Sequence, residues 1–356
     1  GAMPTTAPEY VVFEGPGMDA FAESPEWGGS LVIFPFMYYE TYGDDSLIKK
    51  YYPNMRRYVD YLKTRAEMGI LSFGLGDWYD YGDFRAGFSR NTPVPLVATA
   101  HYYMTVMFLI KAAKMVGNDF DIHYYTSLAH EILASFNKCF LNKETAQYGT
   151  GSQCSNALPL FLQMTQDSDE QGSYQPDAKL DEKVLMNLIK DVEAHGNRLT
   201  TGDVGNRYLI QTLARNGQHE LIYKMFNHEE APGYGFQLKF GATTLTEQWD
   251  PRQGSSWNHF MMGQIDEWFF NSLVGIRPST TYQKFIIAPQ PVGDLKYVKA
   301  SYETLYGTIV VDWTSQNGIF TLNISVPVNT TAVVYLPGEK EPKEIQSGTY
   351  QLVCAR

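Results

Sequence analysis

Little in this sequence of 356 residues points to thiol or metal chemistry. Cys139, Cys154 and Cys354 are odd in number, far apart and without CxxC spacing, which argues against a disulfide framework or a thiolate metal site and leaves packed or idle thiols. The histidines, His101, His123, His130, His195, His219, His228 and His259, show no HExxH or other close ligand pairing, so neither a metal centre nor a cofactor is expected. No GxGxxG opens a helix after a strand, and GxxxxGK[ST] and GxSxG are missing, which removes nucleotide and acyl-serine chemistry. Basic residues are in deficit: Lys+Arg 28 against Asp+Glu 39 gives a net charge of -11, a sign that repels polyphosphate, so nucleic acid is excluded as a partner. Uninterrupted apolar stretches are short, and even Met104 to Ile110 stops at Lys111, so no membrane span is expected. No charged-then-apolar signal segment follows Gly1-Ala2-Met3, which reads as a cleavage scar.

Aromatics, by contrast, are plentiful. Tyr 25, Phe 20 and Trp 6 make 14% of the chain, enough to fill a large core or to line a cleft that stacks flat ligands. With 44% hydrophobic and 19% charged residues the chain has the means to bury a large helical domain and a smaller companion.

Two regimes divide the chain. From about Gly28 to Ile276 the apolar spacing is helical: Leu47-Ile48, Tyr51-Tyr52, Met55, Tyr58-Val59 and Leu62 recur every three or four residues up to Gly69. Further helices are predicted over 94–116, 119–139, 153–165, 178–194, 203–216, 218–228 and 255–275, and with Gly29 to Tyr42 the count is about nine. After Pro278 the pattern becomes short alternating runs, Tyr297 to Tyr302, Thr308 to Trp313 and Phe320 to Val326, which is the pattern of a β-sandwich. Residues 1–278 are therefore expected to form a helical catalytic domain and 279–356 a β-sandwich. Residues 279–356 hold six basic and six acidic side chains, so the helical part carries the whole net charge.

Three loops mix carboxylates, aromatics and glycine. In Glu23-Ser24-Pro25-Glu26-Trp27-Gly28-Gly29, Trp27 is a candidate sugar platform, although Ser24-Pro25-Glu26 is also an ordinary way to begin a helix. In Gly74 to Asp83, Asp77 beside Trp78 has the makings of a sugar site, where a carboxylate takes hydroxyls and a ring face takes C–H groups. The same stretch also reads as a turn closed by Asp side chains. In Gly241-Ala242-Thr243-Thr244-Leu245-Thr246-Glu247-Gln248-Trp249-Asp250-Pro251, Glu247 is placed among small, hydroxyl and aromatic neighbours, just before a predicted helix with Asn258-His259, and is the candidate general base.

Taken together, Leu199-Thr200-Thr201-Gly202-Asp203-Val204-Gly205, Tyr208-Leu209, Pro232-Gly233-Tyr234-Gly235-Phe236, Gly241 to Asp250, Asn258-His259 and Gly263 to Trp268 resemble the α-L-rhamnosidases of glycoside hydrolase family 78. Upstream Pro25-Glu26-Trp27-Gly28, Tyr42-Gly43-Asp44 and Gly76-Asp77-Trp78, and downstream Ile287-Ala288-Pro289 and Pro327-Val328-Asn329, fit in order and spacing. The resemblance implies an (α/α)6 toroid followed by an antiparallel β-sandwich, a rhamnose-containing carbohydrate or glycoside as substrate, and hydrolysis of terminal α-L-rhamnosyl bonds with inversion. The location is not read from the sequence, with a secreted or periplasmic one favoured. Glu247 falls on the general base, and Trp27, Asp77, Trp78 and His259 on residues facing the rhamnose pocket. Thr246 stands where the family has tryptophan, and Tyr234 where its Pro-x-Trp-Gly segment has another. The family's Asp-Cys-Pro segment with its acid is not found, so the toroid is expected to be incomplete, about nine of twelve helices, with the acid upstream, little activity alone and an open apolar flank that favours dimerisation. The competing readings are a non-catalytic carbohydrate-binding protein and another helical-toroid hydrolase; a lyase is disfavoured by the scarcity of basic residues in these loops.

Overall fold

The computed structural model describes residues 1–168 and 174–356. Its contacts separate two units, one of Gly1–Phe36, Ser46–Thr212 and His228–Met262, the other of Met37–Asp45, Leu213–Asn227 and Gly263–Arg356.

The first unit is helical. Helix Ser46–Arg65 buries Ile48, Tyr52, Met55, Tyr58, Val59 and Leu62, the stripe that the sequence spacing predicts, and ends in Lys63 and Arg65, cations suited to its negative pole. Helix Val94–Val116 differs in kind, for it is buried almost all round, from Leu96 through Ala113. By length and composition it could cross a bilayer, but most of it is buried inside the protein. Gly117, left-handed at φ 73°, ends this helix, and the Asn118 side chain accepts the Asp121 amide to begin the next, Asp119–Phe140. Two predicted bounds move. The helix beginning at Gln153 stops at Phe161 rather than 165, where Gln163 turns left-handed at φ 56°. The single helix predicted over 255–275 does not form: Gly254 turns left-handed at φ 76°, and the polar stretch after it is taken up in pairing with residues 245–247. His259 therefore lies on an irregular segment just before a 3-10 turn, Phe260–Met262, and helix returns in Ile265–Trp268 and the wide-turned Phe269–Val274.

The second unit is dominated by two four-stranded sheets. One runs, in spatial order, Gly348–Ala355, Ile319–Val326, Gly307–Gln316 and Tyr297–Thr304, all antiparallel. Alternation is strict: Ile309, Val311 and Trp313 are buried on one strand, Phe320, Leu322 and Ile324 on its neighbour, and the register sets Trp313 against Leu322. The Trp313 indole N–H donates to the Leu273 carbonyl at 2.9 Å, so this buried ring is also polar-satisfied. In the other sheet Lys343–Ile345, Thr331–Val334, Lys284–Ile287 and Ile276–Thr280 are neighbours, with Thr331–Val334 parallel to Lys284–Ile287. Its first strand begins at Ile276, just ahead of the change of regime at Pro278.

Candidate active site

The residues proposed for chemistry lie in the first unit, and short backbone ladders bring most of them together. The Glu247 amide donates to the Ser256 carbonyl at 2.9 Å and the His259 amide to the Leu245 carbonyl at 2.9 Å. This pairing sets Glu247 and His259 on facing segments, and the Ser256 amide donates back to Glu247 Oε2 at 3.1 Å, which orients the carboxylate. Beside them Trp249, 1% exposed, is locked by its indole N–H to the Thr201 carbonyl at 3.1 Å. Thr246 is fully buried and closes its own turn through Oγ1 to the Gln248 carbonyl at 2.7 Å, and Tyr234 packs edge-on against Trp249 with ring centroids 5.3 Å apart.

The Thr200–Gly205 segment is stitched to the Asp77–Tyr81 loop. The Asp203 amide donates to the Trp78 carbonyl at 2.7 Å, the Tyr81 amide to the Thr200 carbonyl at 3.0 Å, and the Gly205 amide to Asp77 Oδ1 at 2.6 Å. The approach explains the glycines here: a Cβ on Gly202 would overlap the Trp78 carbonyl oxygen, and one on Gly205 would overlap the Asp77 carboxylate. Asp80 accepts the Arg90 and Asn91 amides at 2.7 and 2.6 Å, so this aspartate closes the loop, while Tyr79 is held left-handed at φ 60°, costly for a bulky side chain. Trp78 is partly exposed, and Phe21, Tyr79 and Phe88 meet its ring nearly edge-on at centroid distances of 5.2, 4.8 and 5.3 Å, which fixes the ring plane. Trp27 sits in the turn Pro25–Gly28, and the preceding Glu26 accepts the Gly76 amide at 3.2 Å. Trp27 is thereby fastened one residue away from the stretch that carries Asp77 and Trp78.

The electrostatics of this cluster are those of carboxyls crowded away from water. Burial lifts Asp77 from 3.8 to about 7, with the charge of Asp80 adding and the Gly202 and Gly205 amides opposing. Burial likewise raises Glu26 to about 7, against hydrogen bonds from Ser24 and Gly76. Asp203, 2% exposed, is held well above the carboxylate range by burial and then by the charges of Asp77 and Glu247. Asp203 Oδ2 lies 3.8 Å from His259 Nε2, and Glu247 is more accessible than either aspartate. Asp77 is wholly buried, with one oxygen on the Gly205 amide and the Cys154 thiol beside it. Sequence reasoning passed over Asp203 as a site residue; an acid between glycines in Thr201-Gly202-Asp203-Val204-Gly205 was the available signal. Among the described residues no group of three or more His, Cys, Asp or Glu side chains is placed to hold a metal ion.

Residues 1–273 match the bacterial alpha-L-rhamnosidase 6 hairpin glycosidase domain, and residues 275–351 the bacterial alpha-L-rhamnosidase C-terminal domain. The chain is 27% identical over 332 residues to an α-L-rhamnosidase of Streptomyces avermitilis, covering 90% of this chain and 30% of that protein. It is 29% identical over 343 residues to one of Formosa agariphila, covering 92% and 35%. The solved α-L-rhamnosidase of Dictyoglumus thermophilum superposes with a TM-score of 0.83 at 30% identity over 94% of this chain and 40% of that one. The chain thus spans about a third of the length of the curated relatives it matches.

Proposed function

Because the chain belongs to the bacterial α-L-rhamnosidase family across both its helical and its β region, we propose that it serves the hydrolysis of terminal α-L-rhamnosyl bonds by an inverting route. In this reading Glu247 is the general base: its carboxylate takes a proton from a water as that water attacks the anomeric carbon from the face opposite the leaving oxygen. Inversion needs room for that water, with the two carboxyls roughly 6.5 to 9.5 Å apart. The proton for the leaving oxygen comes, in the same reading, from a second carboxyl acting as general acid. Trp78, its plane fixed by three rings, takes an apolar face of the sugar together with Trp27, and His259 binds hydroxyls through its imidazole nitrogens. Asp77, enclosed beneath the loop, holds the Gly205 amide and so positions Asp203 and Trp78 around the ring.

The observation that carries the proposal is the pair of backbone hydrogen bonds joining 245–247 to 256–259, which sets Glu247 and His259 on facing segments, with Asp203 3.8 Å from His259. The test is hydrolysis of an aryl α-L-rhamnoside by the full-length protein, with NMR of the first-formed rhamnose. Glu247→Gln should lower turnover by about 10² to 10⁴-fold, the usual worth of a general base, and the first-formed anomer should have the configuration opposite to the substrate's. Full activity in Glu247→Gln, or retained configuration, refutes the assignment.

A further inference from the structure

Outside this cluster the first unit carries a groove of about 540 Å³ between helices Ser46–Arg65 and Asp119–Phe140. Ligand clefts run from roughly 300 to 1,000 Å³. Its floor is aromatic. Phe120 is 75% exposed and Tyr124 39%, one helical turn apart, with planes only 9° from parallel and centroids 6.3 Å apart. Tyr125 meets Tyr124 edge-on at 5.0 Å and donates its hydroxyl to Asp60 Oδ1 at 2.9 Å. Lys63 stands at the rim and donates to the Tyr124 hydroxyl at 2.9 Å. Arg56 is anchored by Nε on Asp121 Oδ2 at 3.0 Å, and the same oxygen accepts from Tyr52 at 2.5 Å and from Asn118 at 2.8 Å.

We propose that this groove binds a neutral pyranose ring of a carbohydrate chain. Leaving Phe120 three-quarters exposed on a flat pair of rings costs solvation unless something covers it, and the C–H face of a pyranose is a cover of the right shape and polarity. The rim supplies donors in Lys63 and Arg56 and an acceptor in Asp60, which suits hydroxyls, groups that donate and accept at once. Charge decides against an anion: Arg56 is already neutralised by Asp121, and Asp60 faces the same space as Lys63. Naming the occupant a saccharide rests on the glycosidase reading above, and a second site of this kind would hold one unit of a chain while the first handles its end.

Calorimetric titration of the full chain with an oligo-α-L-rhamnoside tests the proposal. Two classes of site are expected. Phe120→Ala, at a side chain exposed enough to leave the melting temperature unchanged, should weaken one class about tenfold or more and spare the other. Trp78→Ala should do the reverse. An isotherm that Phe120→Ala leaves untouched overturns the proposal, as does binding confined to acidic oligosaccharides. Loss of binding in Phe120→Ala with Trp78→Ala unaffected would uphold the groove and sink the rhamnose pocket, so the two readings fail separately.

Discussion

Replacing Asp77 by asparagine should stabilise the protein above neutrality and not in acid. Asp77 is fully buried, and burial raises its carboxyl from 3.8 to about 7. Below the unfolded value both states hold the proton, and the side chain adds no pH dependence. Between the two values the unfolded chain has released its proton while the folded chain keeps it, so stability falls as pH rises; above about pH 7 the full cost of an ionised Asp77 applies. A displacement of roughly 3 units at about 1.36 kcal/mol each amounts to about 4 kcal/mol. Asparagine keeps an oxygen for the Gly205 amide and carries no charge, but its NH₂ faces the Cys154 side, an imperfect partner costing about 1 to 2 kcal/mol. The net gain is then about 2 to 3 kcal/mol at alkaline pH, turning into a small loss at about pH 4. Urea denaturation followed by far-UV circular dichroism across that range reads it. If the stability profiles of wild type and Asp77→Asn run parallel from acid to alkaline pH, Asp77 is ionised in the folded state and the reasoning is wrong.

Two further substitutions probe the scaffold. Gly202→Ala drives a methyl group into the Trp78 carbonyl and the Asp80 amide, and because both are backbone the cost should be at least about 2 kcal/mol, measurable as a lowered urea midpoint. Trp313→Phe keeps a buried ring against Leu322 but strands the Leu273 carbonyl; a loss of about 1 to 3 kcal/mol is expected in the thermal transition of the β region, and no change there would mean water reaches that carbonyl.

Where periodicity was the whole signal, the fold was readable. The stripe through Ile48, Tyr52, Met55, Val59 and Leu62 and the alternation through Ile309, Val311 and Trp313 are forced by burial on one side, and both elements form as expected. The stretch after Gly254 misled for a physical reason. Met262, Ile265 and Phe269 step at helical spacing, but ahead of them backbone bonds to residues 245–247 outcompete local propensity, and such bonds join segments that no local stretch contains. The site divides in the same manner. Glu247 stood out because its neighbours are small and enclosed. Asp203 did not, because its importance lies in the Trp78 carbonyl and the Asp77 and Glu247 charges, all far away in the chain. The glycines of Thr201 to Gly205 were visible in the sequence, but only the approach of Trp78 and Asp77 says why a side chain is intolerable there.

Helix Val94–Val116, apolar around its whole circumference, raises a question of azimuth: turned about its axis by one residue's 100°, it would still present grease to every neighbour. What clocks it is its polar minority. His101, neutral because burial lowers it to about 4, touches the Val97 carbonyl through Nδ1 at 2.8 Å and the Tyr208 hydroxyl through Nε2 at 2.9 Å, and Thr99 Oγ1 accepts the Leu71 amide at 3.0 Å. These few bonds act as a key in a shaft. Swapping them for apolar residues of equal volume would leave the helix buried and its rotation undetermined, and each loop hung from its neighbours would inherit the error.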